Sequence, residues 1–206
     1  AAALGSKFKK KHISKYGIFS VHSFFSDKTI TTGEGGMLLT DSNKLLKVCN
    51  YYKHDGRKER GEDTIKISGY NFRFTELQAA VGLAQTKKLN FFISRKKEIY
   101  KKYEKNLKKV EQIKIFYYSK FCNPVPHRIV ILTKTKSSSL RKFLNKAGIG
   151  VRSLFIPMHR QPIYNIKRKF KNSEILYSTG VCLPSAPSLK NKEINYVCNK
   201  IKKFFN

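Results

Sequence analysis

The chain has 206 residues, of which 40% are hydrophobic and 13% aromatic, so it can bury a core as one domain or two small ones. Lys and Arg number 43 against 13 Asp and Glu, which gives a formal net charge of +30. No apolar run approaches the ~20 residues that a membrane-spanning helix needs, so the composition does not indicate a membrane protein.

The net charge allows two interpretations. A positive field of this size attracts nucleic acid, anionic membranes or phosphorylated substrates. The basic residues are spread along the whole chain, however, without zinc-finger spacing, an aromatic RNA-binding signature or a basic region before heptads. We therefore favour a compositional drift towards Lys, Asn, Ile, Phe and Tyr, and we expect neither nucleic acid nor membrane as a partner. A basic nucleic-acid-binding protein is the alternative function.

The cysteines indicate the cellular compartment of the protein, and the first residues indicate whether the chain is part of a longer protein. The four cysteines form no C-x-x-C pair, and neither Cys122 nor Cys182 lies near a histidine at ligand spacing. We expect no metal site and no disulfide framework, and reduced thiols in a cytoplasmic protein are the default. The N-terminus has neither an initiator Met nor the basic segment of a signal peptide, so we expect the chain to begin inside a longer protein.

The first half of the chain begins with two predicted strands, residues 18–25 and 36–40. Ser42 and its neighbour Asp41 can cap a helix that follows the second strand. The segment 54–68 is polar, charged and punctuated by glycine, which predicts a mobile loop.

A long helix is the clearest element. Thr75 and Gln78 have the spacing of a capping box, and apolar residues recur behind them at helical intervals as far as Leu107. We predict one continuous helix that bridges two domains, so the domains are expected at residues 1–107 and 108–206.

The second half alternates strands and helices. Residues 127–133 and 151–156 predict strands, and Ser137 is expected to cap a helix that ends before Gly148. Residues 191–205 predict a final helix with one apolar face. This alternation indicates a small α/β domain.

Lys28 lies between a short aromatic run and a turn rich in hydroxyls and glycine. Such a lysine is ordinarily a solvated surface charge. A Schiff-base site needs an amine on a rigid element with phosphate ligands nearby, and these neighbours fit that need. The turn at residues 31–36 could bind phosphate through its N–H groups, or it could be a tight turn into the next strand.

Two further clusters follow along the chain. Asn71 and Arg73 alternate in an extended segment before the long helix, so both side chains point the same way and suit an anionic group. They could equally be ordinary polar residues at a helix entry. His159 is held between two prolines and could meet a substrate, or it could be a half-buried loop histidine.

The order of these clusters resembles the PLP-dependent nucleotide-sugar aminotransferases of the DegT/StrS class, and within them the GDP-perosamine synthase branch. The resemblance covers nearly the whole chain. Its motifs are Ser-Phe-Phe-x-x-Lys-x-x-x-Thr-Gly-Glu-Gly-Gly from Ser23, Gly-Tyr-Asn-x-Arg from Gly69, Phe-x-Pro-x-His-x-x-Pro from Phe155 and Leu-Pro-Ser-x-Pro-Ser from Leu183.

This resemblance implies an α/β fold, the PLP-dependent transferase type I fold, here as the C-terminal part of the large domain plus a small C-terminal α/β domain. Lys28 would form the internal aldimine with pyridoxal 5'-phosphate, and Ser23 would bind the cofactor phosphate. Asn71, with Arg73, would reach the phosphate of a neighbouring subunit, which implies a homodimer with shared active sites. Glutamate would be the amino donor and a 4-keto-6-deoxy nucleotide sugar the acceptor, with His159 near the sugar.

The chain also departs from the family pattern. The family places an Asp, which contacts the pyridine nitrogen, just before an Ala-rich stretch, and here Ala1–Ala3 matches the end of that stretch. The expected Asp would precede Ala1, so we interpret the chain as a C-terminal fragment that is inactive alone. Family members with His in place of the lysine are dehydratases, and the presence of Lys28 favours transamination. An inactive fragment protein is the other alternative.

Overall fold

The structure is a computed structural model that describes residues 1–59, 61–164 and 166–206. The α-helices and β-strands of the described residues are, in chain order, β1 (Lys7–Phe8), β2 (Lys11–His12), β3 (Ser20–Ser23), β4 (Gly36–Leu39), α1 (Asn43–Lys53), α2 (Glu76–Lys87), α3 (Leu89–Leu107), β5 (Ile113–Ile115), β6 (Cys122–Asn123), β7 (Ile129–Thr133), α4 (Ser138–Lys146), β8 (Arg152–Ser153), α5 (Lys171–Thr179), β9 (Gly180–Leu183) and α6 (Asn191–Phe205). They form two compact units, Ala1–Ile93 with Lys120–Val125, and Ser94–Ser119 with Pro126–Asn206.

The first unit contains the hairpin that carries the Lys28 segment. Strands β3 and β4 pair antiparallel, with Ser20 opposite Leu39 and Ser23 opposite Gly36. Both predicted strands are therefore confirmed, the first of them shortened to four residues. A second small sheet has the order β2-β1-β6. The predicted loop 54–68 has no helix or strand in its described part, and its residue 60 lies outside the described residues.

Large apolar side chains remain exposed on the first unit. All four residues of β4 are exposed, and none of the described residues of α2 is buried. The exposed apolar side chains of these and neighbouring elements include Ile18, Val21, Met37, Leu38, Leu39, Leu46, Leu77, Val81 and Leu83. The hairpin and α2 therefore present apolar faces that the described residues do not cover.

The predicted long helix is two helices, so the expectation of one continuous helix is wrong. Helix α2 begins with the expected capping box between Thr75 and Gln78, and it ends at Lys87. The N–H of the next residue, Lys88, bonds to the carbonyl of Gln85. The apolar series steps five residues from Ala84 to Leu89 instead of three or four. A single straight helix cannot keep both residues on one face, because its period is 3.6 residues.

The second unit is built on a four-stranded antiparallel sheet of order β5-β7-β9-β8. Helices α3, α4 and α6 bury their apolar faces with it. The core consists of Ile99, Tyr103, Leu107, Ile129, Ile131, Leu140, Leu144, Ile149, Val181, Leu183, Ile194, Val197, Cys198 and Ile201. Burial of this much apolar surface is the main stabilising contribution to the unit.

Sequence analysis missed three elements of this unit, namely β5, α5 and β9. Strand β9 has only four residues, all of them buried, and it lies between β7 and β8 in the sheet. A run this short is too brief to show a hydrophobic period. The predicted strand 151–156 is largely wrong, because only Arg152–Ser153 pairs with β9.

Helix α4 was predicted correctly, but Ser137, the residue before it, has a different role from the expected one. Ser137 makes no side-chain cap; its hydroxyl instead donates to the carbonyl oxygen of Ser178 at 3.0 Å. Ser137 is fully buried, so this bond satisfies a polar group that would otherwise be costly to bury. Gly148 ends the helix with φ +74°, as expected for a C-terminal glycine.

Along the chain, the first unit gives way to the second between Ile93 and Ser94, inside α3, whereas the predicted domain boundary follows Leu107. The difference has a physical cause. Three residues of α3 are buried in the core of the second unit, namely Ile99, Tyr103 and Leu107. Most of this helix therefore belongs to that unit.

Candidate active site

Lys28 lies at the tip of the connection between β3 and β4. Phe24 extends the hairpin by two backbone hydrogen bonds. Its N–H donates to the carbonyl of Gly35 at 2.9 Å, and its carbonyl accepts from the N–H of Thr32 at 3.0 Å. The Lys28 N–H bonds to the carbonyl of Phe25 at 3.0 Å and closes a turn. Thr29 and Ile30, which follow at once, are buried. The tip is therefore anchored on both sides of the lysine.

The Lys28 side chain is mostly shielded, with 19% of its surface exposed. Its Nζ lies 2.5 Å from Oδ1 of Asp27 and 5.7 Å from the centre of the Phe25 ring. A carboxylate and an aromatic face both attract the amine of Lys28. The surroundings thus hold this lysine in one place, unlike a solvated surface charge.

Ser23 ends β3 next to this loop and is half-buried. Its Oγ accepts a hydrogen bond from the Phe25 N–H at 3.3 Å, so the hydroxyl hydrogen can still be donated to an anion. The turn at residues 31–36 is different. The Gly33 N–H bonds to Thr31 Oγ1, and Thr32 Oγ1 donates to the Glu34 carbonyl at 2.6 Å. This turn uses its own polar groups and leads into β4.

The start of α2 packs on the Lys28 loop. Phe74 contacts Phe24 edge-on, with ring centres 6.3 Å apart. Gln78 Nε2 donates to the Glu34 carbonyl at 3.1 Å. Gly35 has φ +131°, and a Cβ there would lie 2.4 Å from the Phe74 ring, so only glycine allows this approach.

Asn71 and Arg73 are brought together, as their alternation predicted. Arg73 Nε donates to Asn71 Oδ1 at 3.1 Å, and a second guanidinium nitrogen bonds to Asp55 Oδ2 at 3.3 Å. His54 bridges to Asn71 in an antiparallel backbone pair. The amide and the guanidinium thus form one oriented group beside Phe74.

A strained turn after α1 places Asp55 beside Arg73. Asp55 has φ +58°, which side chains rarely adopt, and Gly56 has φ +79°. A Cβ on Gly56 would lie 1.7 Å from the Ile67 carbonyl oxygen, and one on Gly69 would lie 2.1 Å from the Gly56 nitrogen. These two backbones therefore touch because both residues are glycine.

Positive charge accumulates around this turn. Burial, and then the charges of Lys53 and Arg73, lower the pKa of His54 below its ordinary value, while Asp55 opposes the shift. The buried Nδ1 of His54 and Nε of Arg57 have no hydrogen-bond partner among the described residues.

His159 belongs to the second unit, and its side chain is only 7% exposed. Its Nε2 lies 2.7 Å from Oε1 of Glu174 on α5, and its ring packs 5.1 Å from that of Phe170. Arg160 reaches the other oxygen of Glu174 at 3.5 Å. Nε2 is therefore engaged with the carboxylate, and Nδ1 is the remaining ring nitrogen.

The sequence analysis did not predict three acidic residues that contact the predicted site residues. Asp27, Asp55 and Glu174 contact Lys28, Arg73 and His159 respectively. Only Asp27 gave a signal, since it adjoins the lysine in the chain. Asp55 lies 18 residues from Arg73, and Glu174 lies 15 residues from His159, so tertiary contacts alone connect them.

The family of the chain follows from a comparison with known proteins. The DegT/DnrJ/EryC1/StrS aminotransferase family matches residues 1–202. The chain belongs to this family. Its fold is accordingly α/β, and it corresponds to part of the type I fold of PLP-dependent transferases.

Individual relatives agree with this assignment. The chain is 39% identical to the GDP-perosamine synthase of Escherichia coli O157:H7 over 211 residues, which cover all of this chain and 57% of that protein. It is 31% identical to the GDP-perosamine synthase of Vibrio cholerae, covering all of this chain and 58% of the relative. The chain therefore spans somewhat more than half the length of these proteins.

A solved structure shares the fold closely. Helicobacter pylori PseC, an aminotransferase of pseudaminic acid biosynthesis, superposes with a TM-score of 0.91 at 26% identity over 100% of this chain and 58% of its own. None of the helices in the described residues is long and apolar enough to span a membrane. The four cysteines are free thiols.

Proposed function

We propose that the chain is part of a pyridoxal 5'-phosphate-dependent aminotransferase that moves an amino group from glutamate to a 4-keto-6-deoxy nucleotide sugar, as a GDP-perosamine synthase does. The observation that carries this proposal is the position of Lys28. Its amine lies on an anchored, mostly shielded tip, and the chain belongs to the DegT/DnrJ/EryC1/StrS aminotransferase family. We further propose a cytoplasmic location, which suits a reduced-thiol protein that uses nucleotide sugars.

The residues around Lys28 fit the chemical groups of this cofactor. An amine bonds to its aldehyde, and the Ser23 hydroxyl can donate to its phosphate. The bound cofactor would supply a ring that withdraws electrons from the substrate carbon. Lys28 would hold the cofactor through its amine and would carry a proton to and from the substrate carbon.

Asn71 and Arg73 are proposed to bind the phosphate of a neighbouring subunit's cofactor in a homodimer. The donors of an amide and a guanidinium match phosphate oxygens, and the bond between Arg73 and Asn71 orients both before an anion arrives. His159 is proposed to contact the sugar through Nδ1, with its ring orientation fixed by Glu174.

Activity is proposed to need more than these 206 residues. The chain covers 57% of the Escherichia coli relative, and β4 and α2 expose apolar faces of the kind that pack against further structure. We propose that the remaining part of the large domain, on the same or another polypeptide, covers these faces.

Borohydride trapping tests the proposal. The purified chain is incubated with pyridoxal 5'-phosphate, reduced with borohydride and digested, and the modified peptide is identified by mass spectrometry. We expect a phosphopyridoxyl group on Lys28. The matched variants K28R and K44R remove the proposed lysine and an exposed lysine of α1, and only K28R should lose the label.

The outcome against the proposal is equally clear. Labelling that spreads over surface lysines, or that is the same in K28R and K44R, would show that Lys28 has no special reactivity towards the cofactor. The chain joined to a large-domain segment from a relative then tests the whole activity, measured as glutamate-dependent amination of a 4-keto nucleotide sugar.

A further inference from the structure

The pair formed by Lys28 and Asp27 has a consequence for how the lysine reacts. Their atoms Nζ and Oδ1 lie 2.5 Å apart, and the side chains are 19% and 38% exposed. Glu34, the other acid of this loop, makes no ion pair with Lys28 within the part of the chain that the structure describes. The carboxylate that acts on the amine is therefore that of Asp27.

The local backbone holds the two side chains together. The turn from Phe25 to Lys28 is closed by the bond between the Lys28 N–H and the Phe25 carbonyl, and Phe25 lies under the amine. Buried Thr29 and Ile30 keep the chain after Lys28 in place. The amine consequently cannot leave the carboxylate through movement of the tip as a whole; its side chain has to rotate away.

Bond formation to an aldehyde needs the neutral amine. The ammonium first releases one proton to water; the nitrogen lone pair then attacks the carbonyl carbon, and the carbonyl oxygen leaves as water while a carbon–nitrogen double bond forms. The nitrogen cannot approach a carbonyl carbon while it is bonded to the Asp27 carboxylate, so the ion pair has to open before the bond to the aldehyde can form.

We propose that Asp27 is a positioning residue that holds Lys28 as an ion-paired ammonium and restrains its reaction with aldehydes until the pair opens. This inference rests on the proposed function of Lys28 for its biological meaning. The restraint itself is a property of the two side chains. It can therefore be measured with a reagent that needs no cofactor site.

The experiment measures the rate at which Lys28 is acetylated by trace acetic anhydride at pH 7.5, relative to Lys101, an exposed lysine of α3. The full chain is compared with D27N, which removes the charge at nearly constant shape, and with D27E, which keeps it. E34Q is the matched control for loss of an acid from the same loop. All four proteins are first compared by circular dichroism.

We expect D27N to raise the relative rate roughly threefold, in line with a partly exposed ion pair, and D27E and E34Q to leave it near the parent value. An unchanged or lower rate in D27N, or an equal rise in E34Q, would overturn the inference.

Borohydride trapping with pyridoxal 5'-phosphate in the same variants separates the two proposals. Faster acetylation in D27N without any cofactor label on Lys28 would leave the restraint standing and refute the proposed function. A label on Lys28 without faster acetylation in D27N would do the reverse.

Discussion

Gln78 donates a hydrogen bond to the carbonyl of Glu34 at 3.1 Å, and this bond ties the start of α2 to the loop that carries Lys28. The same side chain accepts from the backbone N–H of Thr75 in the capping box. One residue thus stabilises the helix terminus and the tip next to it.

Two substitutions separate these roles of Gln78. Q78E keeps an acceptor for the Thr75 N–H but cannot donate to Glu34, whereas Q78A loses both bonds. We expect Q78A to lower the free energy of unfolding by about 1–2 kcal/mol and Q78E by less. Urea unfolding measures both, with Q85A on the same helix as control. Equal losses in Q78A and Q85A would contradict the assignment.

Gly35 and Gly33 form a matched pair for the loop. Both have positive φ, +131° and +81°, but only a Cβ at Gly35 would meet the Phe74 ring, whereas nothing lies within 4 Å of one at Gly33. We expect G33A to cost about 1 kcal/mol from backbone strain. G35A should cost clearly more, because Phe74 must also move. Unfolding free energies test this order, and equal costs would show that the ring contact is unimportant.

The charges around His54 predict that two substitutions will shift the pKa of its imidazole in opposite directions. R73Q should raise the pKa of His54, because the Arg73 charge contributes to lowering it, and D55N should lower that pKa further, because Asp55 raises it. NMR titration of the imidazole C–H signal measures both. Since the folded pKa lies below the unfolded value near 6.5, the unfolded state binds more protons just below that pH, and stability is lost there as the pH falls. R73Q should reduce this loss.

The pKa of His54 in the presence of an added anion provides a separate test of the proposed phosphate site at Arg73. Inorganic phosphate should raise the pKa of His54, because a nearby negative charge favours the charged imidazole. Chloride at equal ionic strength serves as the control. A response that survives in the variant R73Q would place the anion elsewhere.

Alkaline conditions should weaken the second unit. Burial raises the pKa of Cys198 to about 11, from an ordinary value of 9.0, although Asn106 and Lys202 oppose the shift. Above pH 9 the unfolded state loses this proton while the folded state keeps it, so stability falls as the pH rises towards 11, by at most about 1.4 kcal/mol per pH unit. Thermal unfolding between pH 8 and 11 should show a shallower decline in C198A than in the parent. Equal slopes would contradict the effect.

Much of the local structure was readable in advance. The capping box of α2, the glycine after α4 and the apolar face of α6 depend on residues within one or two turns of each other, and all three predictions are confirmed. Strand β9 was not readable, because four buried residues show no period and their partners lie in β7 and β8. The roles assigned to Ser23, Lys28, Asn71, Arg73 and His159 stay predictions.

The sequence by itself determined the family of the protein and the candidate lysine, because both depend on the order of motifs along the chain. The tertiary structure alone decided which acids face Arg73 and His159. Asp55 reaches Arg73 only because Gly56 and Gly69 let two backbones touch, and Glu174 reaches His159 only because α5 packs beside that loop. Contacts of this kind depend on shape between distant segments, and no local spacing encodes them.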